Sequence, residues 1–261
     1  RQCGSSDRSG FLHYLRLATG RAKTFGNVGS GMGTIRTERT GEVLVVTIDR
    51  PDSRNALTVD ALAALRDRLA DASAPVVAVR GAGTAFCAGA DLDTVDALDG
   101  DDARSFSRLG QAVADALAGY DGATVAAIDG PARGGGVELA LACDLRVCTP
   151  RSTFAESGVT LGLFGAWGGT DRLVDTVGRS VAMDLSLSGR VVDADEALRV
   201  GLVSRIVDDP LAVAHAVADN DAGAVRTIKG LLAESADGDR QFEREREAFA
   251  TLVEARAKRK D

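Results

Sequence analysis

Ile128-Asp-Gly-Pro-Ala-Arg-Gly-Gly-Gly-Val-Glu-Leu-Ala-Leu-Ala-Cys-Asp144 carries the most structural information of any stretch in this sequence. It begins at the end of an apolar strand candidate, 124–128, and passes through Gly134-Gly-Gly136 into a short helix candidate, 137–143. Glycines just ahead of a helix let backbone N–H groups approach a ligand with no Cβ in the way. The helix start adds unpaired donors and the positive end of its dipole. Such a corner suits an oxyanion that develops on a carbonyl during reaction. Glu138 stands just inside the helix in an otherwise apolar run. Burying a carboxylate there unpaired costs on the order of several kcal/mol, so it is expected to face a cleft with a raised pKa.

The pattern around this stretch alternates strands and helices. Val43-Leu-Val-Val-Thr-Ile48 reads as a buried strand, closed by Asp49-Arg-Pro51. Thr58 can cap a helix with Leu62, Leu65 and Leu69 on one face. A second strand, 75–80, ends in Gly81-Ala-Gly-Thr-Ala-Phe-Cys-Ala-Gly-Ala90, and a helix over about 102–119 carries the stripe Phe106, Leu109, Val113 and Leu117. Within that loop Gly89-Ala90 offers a second backbone donor, just before Asp91-Leu92. After the strand 144–147 the chain becomes mostly helical beyond roughly residue 170, apart from a strand at 202–207. Repeated β-β-α units followed by helices indicate an α/β core with a helical C-terminal region.

Several chemistries are excluded by the residues present. Gly81-Ala-Gly83 lacks the third glycine of a dinucleotide fingerprint, since Phe86 stands there, and no acidic residue ends a strand about 20 residues on. Gly-x-x-x-x-Gly-Lys and Gly-x-Ser-x-Gly are both absent. Two histidines, His13 and His215, and four cysteines without a C-x-x-C pair leave few ligands for zinc, so no metal is expected. The scattered cysteines suit reduced thiols in a cytoplasmic setting. No run approaches the ~20 apolar residues of a membrane span, and no membrane partner is expected.

The 261 residues are 45% hydrophobic and 26% charged, enough for a sizeable core. Residues 1–31 carry five basic side chains and one acid, so the rest holds 26 basic and 37 acidic groups, a net of −11. That sign disfavours nucleic acid as a partner. Counts of 28 Asp and 10 Glu against 27 Arg and 4 Lys suggest either a protein kept soluble at high salt or high-GC codon usage. The Gly/Ser/Arg-rich segment 1–33 reads as a disordered leader, or as residues upstream of a start at Met32, rather than as a transit peptide. The core is then placed at 34–207 and a C-terminal helical region at 208–261.

Set in order, Asp49-Arg-Pro…Asn55-Ala-Leu57, Ala85-Phe-Cys-Ala-Gly-Ala-Asp-Leu92, the stretch 128–144, Phe154-Ala-Glu-Ser-Gly-Val-Thr-Leu-Gly162, Gly168-Gly-Thr-Asp-Arg-Leu173 and Ala194-x-x-Ala-x-x-x-Gly-Leu-Val203 resemble the enoyl-CoA hydratase/isomerase (crotonase) family. The resemblance runs from about Val43 to the last helix. It implies a spiral of β-β-α units whose C-terminal helices build homotrimers, often paired into hexamers. It implies a coenzyme A thioester as substrate, with coenzyme A part of that substrate and no further cofactor. By motif match, the N–H groups of Ala90 and Gly135 form an oxyanion hole. Ser53, Arg54 and the loop Ala88 to Asp93, with Ala90, Asp91, Leu92 and Gly135, line the CoA channel. Glu138 matches the first of two catalytic glutamates of hydratases.

At the second glutamate position the chain has Gly158. The nearest carboxylate, Glu156, lies two residues earlier, on the same face of an extended segment but roughly 6–7 Å away along it. Hydration is easiest with two carboxylates. With Glu138 alone, the chemistry that fits best is single-base work on an enolate: a double-bond shift, a decarboxylation or slow hydration. A non-catalytic homologue binding a CoA ester or an RNA is the alternative of another class. The last helix is expected to end soon after Phe249, which would shorten its contribution to the CoA channel.

Overall fold

Runs of β-branched residues build the central sheet. The computed structural model describes residues 33–233 and 237–259. β1 (Ile35–Thr40) and β2 (Val43–Ile48) form an antiparallel hairpin. Leu57 then leads through the Thr58 cap, whose side chain accepts the Ala61 N–H, into α1 (Val59–Ala70). β3 (Val76–Gly81) follows, then the loop 82–91, α2 (Leu92–Asp96) and α3 (Gly100–Ala118). β4 (Ala123–Ile128) is followed by β5 (Pro131–Arg133) and α4 (Gly135–Ala142). β6 (Leu145–Cys148) is followed by β7 (Thr153–Ala155), a 3-10 turn over Ser157–Leu161 and α5 (Gly169–Ser188). The chain continues through β8 (Val192–Asp193), α6 (Ala194–Arg199), β9 (Arg205–Ile206), α7 (Pro210–Ala218), α8 (Ala222–Ala233) and α9 (Gly238–Lys258).

The large sheet has the order β1-β2-β3-β4-β6-β9, parallel from β2 onward. A small sheet, β5-β7-β8, lies beside it, and parallel bridges at Leu57–Ala90 and Cys87–Ala132 extend it toward the earlier turns. Each turn of the chain thus contributes a long strand, a short one and a helix: the spiral of β-β-α units expected from the sequence.

Register sorts the core into two faces. Val45, Ala78, Val125 and Leu145 align across four strands. Their face is covered by α7 through Val213 and Ala214, so the region after 208 adds to the packed core as well as forming a helical tail. Val46, Val77, Val79 and Ala126 point the other way, toward Leu62 and Leu65 of α1 and Val113 and Leu117 of α3.

Two expectations are corrected. α9 runs to Lys258, nine residues past Phe249, because 250–258 is Ala-Thr-Leu-Val-Glu-Ala-Arg-Ala-Lys, rich in strong helix formers and free of Gly and Pro. The strand at 202–207 shrinks to Arg205–Ile206: the Leu202 and Val203 N–H groups turn back onto Ala197 O at 2.8 and 3.2 Å and close α6. The leader, including His13 and Cys3, lies outside the described residues.

Candidate active site

Asn55 ties together the segments that carry the site. It is fully buried, with a positive φ of 61°, a conformation Asn tolerates better than most residues. Its Oδ1 accepts the Arg50 N–H at 2.9 Å, and its Nδ2 donates to Ala82 O at 2.8 Å and Ala85 O at 2.7 Å. The loop after β3 is thereby fixed to the turn after β2. Farther along, the Phe86 N–H donates to Pro131 O and the Arg133 N–H to Cys87 O, fastening the loop along β5. Cys87 Sγ donates to Asn55 O, and burial pushes the thiol up to about 12, so it serves packing and not nucleophilic chemistry.

This clamp brings two loops into contact at Gly89 and Gly135. Gly89 has φ +88°, and a Cβ on it would lie 2.7 Å from Arg133 O and 2.9 Å from Gly135 N. Only glycine accepts both the conformation and the approach. The Leu57 N–H donates to Gly89 O and the Asp91 N–H to Leu57 O, which leaves the Ala90 N–H on the opposite edge. Gly134 caps α4, its own N–H donating to Ala155 O. Among the described residues, neither the Ala90 nor the Gly135 N–H donates to a protein acceptor.

These groups border a cleft of about 290 Å³ whose wall includes Ala88, Ala90, Leu92, Gly135, Glu138 and Gly158. Phe106 of α3, Leu161, Phe164 and Trp167 complete its apolar surface. Glu138 is 1% exposed. Its Oε1 accepts the N–H groups of Trp167 and Gly169, each at 2.8 Å, while Oε2 has no donor among the described residues. Burial raises its pKa; the two N–H groups and the Arg172 guanidinium pull in the opposite direction.

Other residues named from the sequence fall elsewhere. Glu156 does not line the cleft. It faces a separate cavity of about 40 Å³, its Oε1 has no hydrogen-bond partner among the described residues, and burial together with the Glu138 charge pushes its carboxyl up to about 8. Asp91 caps α2 through the Thr94 N–H at 3.1 Å and pairs with Arg50 Nη1 at 3.0 Å; against the upward push of burial, these hold its carboxyl below the usual range. Asp93 is exposed in the first turn of α2, and Ser53 and Arg54 are exposed beside the loop, where Arg54 O accepts the Ala88 N–H at 3.0 Å. These four lie outside the cleft wall.

Trp167 is the residue that reading the sequence missed. Its indole stands edge-on to Phe106, ring centres 5.8 Å apart at 72°. It fills the space that a Cβ on Gly110 or on Gly135 would need, either of which would come within 2.2 Å of the ring. The available signal was a single tryptophan in the whole chain, set among glycines in Gly165-Ala-Trp-Gly-Gly169.

A family model for enoyl-CoA hydratase/isomerase matches residues 38–259. The chain belongs to the enoyl-CoA hydratase/isomerase family. It is therefore an acyl-CoA-processing enzyme of that family. It is 33% identical over 225 residues to a crotonyl-CoA hydratase of Syntrophomonas wolfei subsp. wolfei, covering 81% of this chain and 86% of the relative. A short-chain-enoyl-CoA hydratase of Clostridium acetobutylicum is 36% identical over 182 residues, 68% of this chain and 70% of its own. Among solved structures, the Bacillus anthracis enoyl-CoA hydratase superposes with a TM-score of 0.80 at 28% identity, over 85% of this chain and 91% of that one. A Thermobifida fusca YX protein solved in complex with CoA gives 0.78 at 31%, over 87% and 95%. The crotonase-type fold read from the sequence is thus the fold of the family. Among the described residues no cluster of His, Cys, Asp and Glu is placed to hold a metal ion, and no helix is long and apolar enough to cross a membrane.

Proposed function

We propose that the cleft is the site of enoyl-CoA hydratase/isomerase-type chemistry through a thioester enolate. The thioester carbonyl accepts the N–H groups of Ala90 and Gly135. Charge moves onto that oxygen as the α-proton leaves, and preorganised donors act most strongly at that moment. Glu138 is the acid/base: Oε1 is anchored by two backbone donors, and Oε2 is left to exchange the proton. The observation that carries this reading is the meeting of two unengaged N–H groups at the Gly89–Gly135 contact, beside Glu138 in an apolar cleft. Coenzyme A enters as part of the substrate, past Ser53, Arg54 and the Ala88 to Asp93 loop. These proton transfers need no further cofactor and no metal. The names of the relatives support hydration of a short enoyl-CoA as the reaction.

Gly158 favours a second reading. With Glu156 turned to another cavity, Glu138 is the only carboxylate in the cleft wall among the described residues. One carboxylate suffices to take a proton from one carbon and return it to another, shifting a double bond. It also suffices to protonate the enolate left when CO₂ departs. Exposed apolar residues on α5 and α9, among them Met183, Leu187 and Phe249, support a homotrimer or hexamer, and we assign the protein to the cytoplasm.

Glu138→Gln, assayed on crotonyl-, 3-enoyl- and malonyl-type CoA esters, tests the assignment. A loss of at least roughly 10²-fold is expected on whichever ester the wild type consumes, and retention of more than about a tenth of the activity would remove Glu138 from the mechanism.

A further inference from the structure

Glu156 Oε1 is a buried carboxyl oxygen with no hydrogen-bond partner among the described residues. Native side chains seldom leave such an atom unpaired, and a charged one is the least tolerated. The residue sits where β7 gives way to the Ser157–Leu161 turn, against the 40 Å³ cavity. Gly165 and Gly169 also line it, and Thr170 and Ser186 bring hydroxyl-bearing residues to its wall. The same two glycines bound Glu138. The Gly169 N–H donates to its Oε1, and a Cβ on Gly165 would lie 2.7 Å from its Oε2. Two carboxyl groups thus flank one glycine segment, Glu138 open to the cleft and Glu156 to the small cavity.

We propose that Glu138 and Glu156 form a one-proton pair, with the proton resident on Glu156 and the charge on Glu138. The proposal rests on the reading of Glu138 as the base and adds a positioning residue outside the cleft. Neighbouring carboxyl groups do not both ionise cheaply. Glu138 has two backbone N–H donors and the Arg172 guanidinium to favour its charge; Glu156 has none of these. Burial and the Glu138 charge act together on Glu156 and push it up to about 8. Other charges nearby are engaged elsewhere: Arg172 with Trp167 O and Asp115, and Arg190 with Asp184 and Glu196. The facing lining residues on α5, Thr170 and Ser186, are uncharged. The cavity has room for a water, to which a neutral Glu156 can donate its O–H while the two hydroxyls complete the shell. As pH rises through about 8, Glu156 ionises, and the second negative charge makes Glu138 hold its proton more tightly.

The test is a carboxyl titration of the protein without substrate, followed by ¹³C NMR on side-chain-labelled glutamate. One carboxyl titrating near pH 8 is expected in the wild type. It should be absent from Glu156→Gln, and in Glu138→Gln it should move to lower pH because the like charge is gone. Only ordinary carboxyl titrations in the wild type, or a high-pH titration that survives in Glu156→Gln, would overturn the pair. Should Glu156→Gln not fold, the shift in Glu138→Gln decides. With substrate, the wild-type kcat should change near pH 8 and that step should vanish in Glu156→Gln at unchanged KM; an unaltered step would also count against the pair. A confirmed NMR titration in a protein that turns over no CoA ester would leave the pair standing and sink the functional reading instead.

Discussion

The backbone of Gly165 roofs the Glu138 carboxylate: a Cβ placed on Gly165 would lie 2.6 Å from Glu138 Cδ. Gly169 closes in likewise, its Cβ position 2.5 Å from Glu138 Cγ. Together with the Trp167 and Gly169 N–H groups, these contacts confine the carboxylate, with Oε1 anchored and Oε2 without a donor among the described residues. In the proposed role of base, Glu138 would have lost its rotamer freedom before substrate arrives, which is the positional advantage enzymes exploit.

Gly165→Ala should therefore damage activity out of proportion to its size. The new methyl group displaces Glu138 from its two N–H donors, and kcat is expected to fall by about 10²-fold, the scale of a misplaced acid/base. Circular dichroism and oligomer size should stay near those of the wild type. Full activity in this variant would mean the carboxylate orientation is unimportant.

Much of this site was legible in the sequence, for particular reasons. Gly134 to Glu138 combines a helix start, a glycine run and a carboxylate in an apolar helix, and each signal is local. Thr58 was legible as a cap because capping is also local, and the Ala61 N–H bond bears it out. The elements that went unseen are fixed by distant partners. β5, β7 and β8 are two or three residues long, too short for a strand period to register. The turn of Glu156 away from the cleft depends on where 163–169 lies against α4 and β7, a tertiary fact without a sequence period. Trp167 was passed over because its role lies in the gaps left by Gly110 and Gly135, more than 30 residues upstream.

Stability should carry the mark of Glu156. Its carboxyl moves from an ordinary 4.5 to about 8 on folding. Below the ordinary value both states are protonated. Between the two values the unfolded chain has released its proton while the folded chain still holds it, so stability falls as pH rises, and levels off above about 8. Every tenfold difference in proton affinity between the two states corresponds to about 1.4 kcal/mol. Glu156→Gln should match the wild type in melting temperature near pH 4.5 and exceed it near pH 8, the gap opening steadily between. A constant difference across that window would show that Glu156 titrates in its usual range.

Trp167 is the chain's single tryptophan, so tryptophan emission excited selectively over the two tyrosines reports on the cleft. Binding of a non-reacting acyl-CoA should shift or quench that emission with saturation. Gly135→Ala should change the emission without ligand, because its Cβ would come 2.2 Å from Trp167 Cζ3. An unresponsive spectrum in both experiments would place the acyl group elsewhere.

Gly158→Glu asks which chemistry the pocket favours. Gly158 lines the cleft, and a Cβ there would meet Leu163 C and O and Phe164 Cα at 3.1 Å. The 163–164 backbone must yield by a few tenths of an ångström, at a cost of about 1 kcal/mol. Crotonyl-CoA hydration is then expected to rise about tenfold or more, while any isomerase or decarboxylase activity holds or falls. A well-folded variant with unchanged hydration would mean that this cleft does not take a second carboxylate into water addition.

The most direct measurement of the enolate account is exchange of the α-protons of a saturated short-chain acyl-CoA in D₂O, followed by proton NMR. The substrate has no double bond to hydrate or shift and no carboxylate to lose, so exchange reports only proton removal by the base and charge held by the Ala90 and Gly135 N–H groups. The wild type should exchange these protons, and Glu138→Gln should be slower by at least roughly 10²-fold. Exchange at the wild-type rate in Glu138→Gln would contradict the assignment of Glu138 as the base.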